Sequence, residues 1–283
     1  MAENDYAKAV LVTTEWLAEH LTDDGIVVAE VDENPDLYDE GHIPGAIKLH
    51  WREDLQDPIE RDLVEKEVLE RLLGERGVSN DSAVVLYGDK NNWFAAYAYW
   101  YLKIYGHENV RILDGGRQKW IDEGRELTSD APAPEQRQYK AKERDETIRV
   151  FRDAVLESIT AGDEALVDVR SPQEFSGELV SPPGYELEGA QRAGHIPTAQ
   201  SIPWAQAVRD DGTFKSPAEL RELYAAKGVT PDKKVTAYCR IGERSAHTWF
   251  VLRELLGYEN VKNYDGSWTE WGNLVDVPIE RGA

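Results

Sequence analysis

Cysteine is almost missing from this chain: among its 283 residues there is one, Cys239. A single cysteine excludes an intramolecular disulfide and a cysteine-based zinc site, fits a reducing compartment, and leaves one thiol free for chemistry. Long apolar runs are missing as well. No stretch approaches the ~18 residues of a membrane span. The start, Met-Ala-Glu-Asn-Asp, has neither the basic cluster nor the apolar run of a signal peptide. The expected location is the cytoplasm, with no membrane partner. Basic residues are scarce against acidic ones, 32 Lys and Arg to 54 Asp and Glu, for a formal net charge of −22. Such a surface repels nucleic acids and anionic membranes, whose phosphates need cations to neutralise them. No pair among the six histidines has metal-ligand spacing with acids to match, so no metal site is expected. Composition carries no signal for the oligomeric state.

What is present is enough apolar material for a sizeable core: 41% of residues, with nine Trp and thirteen Tyr. The sequence also repeats itself. Gly41-His-Ile-Pro-Gly-Ala46 resembles Gly194-His-Ile-Pro-Thr-Ala199, and each tract reaches a Trp nine positions after its His, at Trp51 and Trp204. A second set of matches keeps a constant offset of 151: Tyr87 with Tyr238, Gly106 with Gly257, Glu108-Asn-Val110 with Glu259-Asn-Val261, Asp114-Gly115 with Asp265-Gly266, Trp120 with Trp271. A weaker pair is Ala29-Glu-Val-Asp32 and Val167-Asp-Val-Arg170. A period this long means two similar domains rather than a solenoid. The boundaries expected are residues 1–127, a linker at 128–146 that is Pro-rich at Ala131-Pro-Ala-Pro134 and then charged, and residues 147–283.

Within each half short apolar runs alternate with amphipathic stretches. Ile26 to Val31, Val84 to Tyr87 and Val110 to Leu113 read as strands; Glu15 to Leu21, Val64 to Leu73 and Trp93 to Tyr105 read as helices. The second half repeats the order, with strands at Ala165 to Val169, Val235 to Tyr238 and Val261 to Tyr264. The expected fold is α/β, each domain a mainly parallel sheet with helices on both faces. Active loops in such folds lie at the carboxyl ends of strands.

Cys239 directly follows one of these strands. The next residues are Arg240-Ile241-Gly242-Glu243-Arg244, and a helix is expected from Ser245 to Leu256. A cysteine in a tight strand-to-helix loop sits where backbone N–H groups converge. Those groups, the helix start and the two arginines all favour the thiolate, which is the nucleophilic form. Arginines at a helix start oppose the helix dipole, so two of them there call for an anion to bind. At the 151 offset Cys239 falls on Gly88, Arg240 on Asp89 and Arg244 on Trp93. The first half keeps the frame without the chemistry, so only the second is expected to be catalytic.

Tandem halves, paired Gly-His-Ile-Pro tracts, a Cys-Arg-Ile-Gly-Glu-Arg loop in the second half alone and Asp265-Gly-Ser-Trp268 together resemble a two-domain rhodanese, a thiosulfate sulfurtransferase, over roughly residues 8–280. The resemblance implies two tandem rhodanese-like domains and a double-displacement cycle. Cys239 would take the outer sulfur of thiosulfate, release sulfite, and pass the sulfur from its persulfide to cyanide or a thiol. It implies a small anionic donor and no metal or organic cofactor. It also implies substrate-binding roles for Arg240, Ile241, Gly242, Glu243 and Arg244, and places Asp168 and Arg170 near the loop. The family's thiosulfate enzymes often carry a further arginine before an aromatic; this chain has Glu174 before Phe175, and Arg192 is the candidate replacement. Glu243 is expected to face solvent or a nearby arginine. His42 and His195 match in both halves, one of which has no nucleophile, and so read as structural turn residues.

Three alternatives share parts of this pattern. Related 3-mercaptopyruvate enzymes have a serine two positions after the cysteine, where this chain has Ile241. Cysteine phosphatases and arsenate reductases also use a Cys-to-Arg loop, usually with five intervening residues; here there are four. A non-enzymatic sulfur-binding module would keep the frame and leave Cys239 inert.

Overall fold

The computed structural model describes residues 6–185 and 189–282. The chain forms two compact units. Among the described residues, one consists of 10–145 with 208–214; the other consists of 6–9, 146–185, 189–207 and 215–282.

The first unit holds strands β1 (Leu11–Val12), β2 (Ile26–Glu30), β3 (Ile47–Lys48), β4 (Ala83–Tyr87) and β5 (Val110–Leu113), and helices α1 (Thr14–His20), α2 (Leu37–Glu40), α3 (Lys66–Glu75), α4 (Trp93–Ile104) and α5 (Gly116–Asp122). Its sheet runs β1-β5-β4-β2-β3, parallel throughout. The second unit holds β6 (Arg149–Val150), β7 (Glu164–Asp168), β8 (Gln200–Ser201), β9 (Lys234–Tyr238) and β10 (Val261–Tyr264), with α6 (Arg152–Ala161), α7 (Pro172–Ser176), α8 (Pro217–Ala225), α9 (Glu243–Phe250) and α10 (Ser267–Trp271). Its sheet runs β6-β10-β9-β7-β8, again parallel, so the two orders agree position by position. The repeat in the sequence is a repeat in topology.

The middle strand of each sheet is buried and accordingly reads as a mostly apolar run: Ala83-Val-Val-Leu-Tyr87 in β4, and Val235-Thr-Ala-Tyr238 in β9, where the Thr236 hydroxyl donates to Glu164. Helix α4 is buried nearly all round, which its Trp-Phe-Ala-Ala-Tyr-Ala-Tyr-Trp-Tyr-Leu sequence requires. Helices α7 and α8 open with the same device. Ser171 and Ser216 cap the amides of Glu174 and Glu219, whose side chains return to the cap amides, and Pro172 and Pro217 occupy the first helical position.

The structure differs from the expectations in several places. The edge strands β1, β3, β6 and β8 span two residues each, too short to leave a pattern in sequence. The helix after Cys239 starts at Glu243, not Ser245. The stretch expected as a linker packs with the first unit: Arg137 N–H donates to the Gly74 carbonyl at 2.9 Å, Lys142 N–H to the Tyr105 carbonyl at 2.9 Å, and Tyr139 is buried. Gly74 permits this approach, because a Cβ there would lie 2.6 Å from the Arg137 carbonyl oxygen. Val208–Phe214, expected in the second domain by chain order, also packs with the first unit: Asp114 accepts the Phe214 N–H at 2.9 Å, and Lys119 pairs with Asp211 at 2.9 Å. Among the described residues no helix is long and apolar enough to cross a membrane.

Candidate active site

Strand β9 delivers Cys239 at its carboxyl end, in the middle of the second sheet. The loop behind it is pinned from β10 and α10. Cys239 N–H donates to Ser267 Oγ at 3.0 Å, and its carbonyl accepts the Trp268 N–H at 3.0 Å. The Arg240 carbonyl accepts the Thr269 N–H at 2.9 Å. Gly242 then turns the chain into α9 with φ of 100°, a region that only glycine enters at little cost. A Cβ on it would lie 2.9 Å from Asp265 Oδ1, and Asp265 is itself held by Arg149 at 2.6 Å. The Gly242 carbonyl accepts from Asn263 Nδ2 at 3.0 Å and from Ser245 Oγ at 3.1 Å.

This turn aims the Gly242 N–H at Cys239 Sγ, 3.1 Å away. The cysteine is fully buried, yet its surroundings are polar. Burial opposes ionisation; the charge of Arg244, the hydroxyl and amide of Ser245 and the amide of Gly242 outweigh it and bring the thiol below its ordinary value. The site therefore holds a sulfur at the start of a helix whose surroundings favour its ionised form.

Arg244 lies in the first turn of α9 and is 8% exposed. Its Nη1 and Nη2 donate to Glu174 Oε2 and Oε1 at 3.0 and 2.9 Å, a fork-to-fork pair with a carboxylate on α7. Arg240 is also buried, with its guanidinium 4.1 Å from the centre of the Tyr185 ring. Ile241 is nearly buried. Glu243 is 2% exposed, so of the two placements expected for it, solvent or a nearby arginine, the first does not hold. Arg170 forms a buried pair with Asp168 at 2.6 Å, donates to the Gly194 carbonyl at 2.7 Å and stacks 4.4 Å over Trp268. Arg192 turns elsewhere, and its guanidinium donates to the carbonyls of Trp271, Gly272, Leu274 and Val277, closing the chain after α10. The structure thus groups Cys239, Gly242 and Arg244, sets Arg170 against the strand end, and commits the Arg192 side chain to backbone carbonyls.

His42 and His195 do the same thing in the two units. Nδ1 of each lies 2.9 Å from a backbone carbonyl, of Tyr38 and of Phe175, and each ring stacks on that same residue, at 3.9 and 3.7 Å. The Ile after each donates its N–H to a strand tyrosine, Ile43 to Tyr87 at 2.9 Å and Ile196 to Tyr238 at 3.1 Å. Both tracts fasten a turn to the central strand.

A cavity of about 600 Å³ lies beside α7, lined by Pro172, Gln173, Phe175, His195, Thr198 and Lys227 among others. No residue of the Cys239–Arg244 loop lines it.

A model of the rhodanese-like domain matches the chain twice, over residues 13–123 and 152–274. The chain belongs to the rhodanese-like family. It is 59% identical to a Saccharopolyspora erythraea protein named "Putative thiosulfate sulfurtransferase", over 96% of each chain. It is 59% identical to a Thermus thermophilus protein named sulfur carrier protein TtuD, over 96% of this chain and 97% of that one. Among solved structures it is similar to the anaerobic ergothioneine biosynthesis enzyme of Chlorobium limicola, with a TM-score of 0.84 and 28% identity over 97% of this chain and 70% of that one.

The two rhodanese-like units differ where the chemistry would be. In the first, Gly88 takes the place of the cysteine, and its carbonyl accepts the Arg117 N–H at 3.0 Å as that of Cys239 accepts the Trp268 N–H. A Cβ on Gly88 would lie 2.0 Å from the Val31 carbonyl oxygen, so this position has closed on itself. Residues that single-sequence reading left out of the rhodanese-like site are Ser245, Asn263, Ser267 and Glu174. Ser267 lay in the Asp-Gly-Ser-Trp tract and Ser245 closed the cysteine loop, so both were within view. Glu174 was in view as the acid before Phe175 where an arginine was expected, though not as the partner of Arg244, and Asn263 carried no local signal.

Proposed function

We propose that this protein is a sulfurtransferase in which Cys239 carries sulfur as a persulfide. The Cys239 thiolate attacks the outer sulfur of thiosulfate; a new S–S bond forms, the old one breaks, and its electron pair leaves with sulfite. An acceptor, cyanide in an assay or a thiol in the cell, then attacks the terminal sulfur of the persulfide and restores the thiolate. Charge and atoms balance at both steps. The single observation that carries this reading is the Gly242 N–H on the Cys239 sulfur at 3.1 Å, in surroundings that, with Arg244, favour the thiolate. The amide and the arginine stabilise the thiolate before attack and the terminal persulfide sulfur after it. Family membership and the sulfurtransferase names of the relatives support it.

The persulfide is the only carrier this cycle needs, and a thiol that must return to the reduced state suits the cytoplasm. A carrier role, as the name of the Thermus thermophilus relative has it, uses the same persulfide with a protein thiol as acceptor. The 3-mercaptopyruvate alternative is disfavoured because Ile241 has no proton to relay. Treatment with thiosulfate followed by intact-mass measurement tests the proposal. A gain of one sulfur atom, absent in Cys239→Ser and discharged by cyanide, is the expected result; an inert thiol, or phosphate-ester hydrolysis in its place, overturns it.

A further inference from the structure

Glu174 is a carboxylate placed against Arg244, whose charge acts on Cys239. It is 1% exposed and held at three points: Arg244 Nη1 and the Ser171 N–H on Oε2, both at 3.0 Å, and Arg244 Nη2 on Oε1 at 2.9 Å. Burial pushes its carboxyl up, but the hydrogen bonds and charge of Arg244 outweigh this and take it down to about 2, so it is ionised whenever the protein works. Arg170 is balanced in the same way by Asp168. The charge that Arg244 presents to an incoming donor is therefore already answered inside the protein. A dianion approaching Cys239 meets a sulfur whose ionisation is favoured and, behind the guanidinium, the fixed negative charge of Glu174. Coulomb repulsion in a buried site of low effective dielectric is felt over that range.

We propose that Glu174 sets the charge of the sulfur donor, so that the site binds a donor of one negative charge or none, an organic persulfide, in preference to the thiosulfate dianion. This rests on the reading that Cys239 carries sulfane sulfur. The step with a persulfide balances: the thiolate attacks the terminal sulfur of R–S–SH, a new S–S bond forms, the donor's own S–S bond breaks, and its electron pair leaves with R–S⁻ while Cys239 keeps the sulfur as S–SH. Glu174 touches neither donor nor sulfur. It is a positioning and specificity-determining residue acting through Arg244.

The test compares thiosulfate with 2-hydroxyethyl persulfide as donors for the full-length protein and for Glu174→Gln and Glu174→Asp. In the unaltered protein the KM for the persulfide should lie at least about tenfold below that for thiosulfate; the reverse order overturns the proposal without any variant. Glu174→Gln keeps the side chain's size and its oxygen for the Ser171 amide, and should lower the thiosulfate KM about tenfold with a smaller change in kcat and little change in the persulfide KM. Glu174→Asp keeps the charge and should not lower it. A thiosulfate KM that stays level or rises in Glu174→Gln, or KM values for both donors that move together, overturns the proposal. Sulfate, a dianion that cannot react, separates this from failure of the sulfur-transfer reading. Calorimetric titration should show it binding Cys239→Ser/Glu174→Gln about tenfold more tightly than Cys239→Ser, whether or not the native thiol accepts sulfur; equal affinities overturn the charge claim alone.

Discussion

The backbone N–H of Cys239 donates to Ser267 Oγ at 3.0 Å, and the Ser267 hydroxyl donates on to the Tyr264 carbonyl at 2.6 Å. Cys239, one residue past β9, is thus held from the end of the neighbouring strand β10. Ser267 reaches this position with φ of 50°, a left-handed conformation uncommon for a residue with a Cβ. Replacement by Ala leaves a buried N–H without its partner. Ser267→Ala should lower stability by about 1–3 kcal/mol in denaturant unfolding and slow sulfur loading of Cys239. An unchanged midpoint would mean that the hydroxyl is dispensable to the loop.

Arg244 works on the thiol through its charge, so its removal has a definite sign. Without it the thiolate forms at higher pH, and the ultraviolet absorbance that reports the thiolate should shift upward in pH. Arg244→Ala also strips Glu174 of its partner; Arg244→Ala/Glu174→Gln removes both charges and isolates the effect on the sulfur. Both variants should lose more than tenfold in transfer rate at neutral pH, about 1.4 kcal/mol or more. A thiol that titrates as in the unaltered protein would remove Arg244 from this role.

Gly88 offers a test of how closed the first unit is at the position that matches Cys239. A methyl there would sit 2.0 Å from the Val31 carbonyl oxygen, whereas Gly25, at φ of 84°, has nothing within 4 Å of its added Cβ. Gly88→Ala should cost about 3 kcal/mol, through overpacking that only a backbone shift can relieve. Gly25→Ala should cost about 1 kcal/mol, from its dihedral angle alone. Thermal unfolding of the two variants compares them; a Gly88 variant as stable as the Gly25 variant would show that the site is open.

Two buried groups contribute to the loss of stability in acid. Burial holds His247 neutral, with a value down at about 3 against an ordinary 6.5. The unfolded chain takes up that proton first, so the stability it contributes is complete above pH 6.5 and is lost as pH falls from there toward 3. Glu174, at about 2 against 4.5, contributes stability that is complete above pH 4.5 and is lost as pH falls toward 2. The Glu174 share is on the order of 3 kcal/mol. His247→Phe should flatten the stability curve in the upper window and Glu174→Gln in the lower. Unfolding free energies measured across both windows decide, and parallel curves for all three proteins would refute the assignment.

Arg170 and Arg117 carry the same structural load in different ways. Arg170, two residues past the end of β7, pairs with Asp168 on that strand; Arg117 on α5 pairs with Glu30 at the equivalent end of β2. Arg170→Ala leaves a buried carboxylate uncompensated and should cost about 3–5 kcal/mol, while Asp168→Asn/Arg170→Met should cost clearly less. Equal losses in chemical denaturation would mean that packing over Trp268, not charge, is what Arg170 supplies.

Much of this was legible in the amino-acid order because it is written locally. An apolar run short enough for a strand, a Ser-Pro cap, and Gly and Trp recurring at one offset each leave their mark within a few residues or at a fixed spacing. From these came the two repeated sheets, the place of Cys239 at a strand end and the loss of its counterpart at Gly88. Helix α9 begins two residues before the apolar pattern suggests, since it is Gly242's positive φ, not hydrophobicity, that starts it. What each charge faces was not legible. Glu174 meets Arg244 across 70 positions, Arg192 is consumed by carbonyls about 80 positions away, Glu243 is buried, and residues 128–145 pack onto the first unit. Long polar side chains and extended backbone choose partners by proximity in three dimensions, and only the packed fold brings those partners within hydrogen-bonding reach.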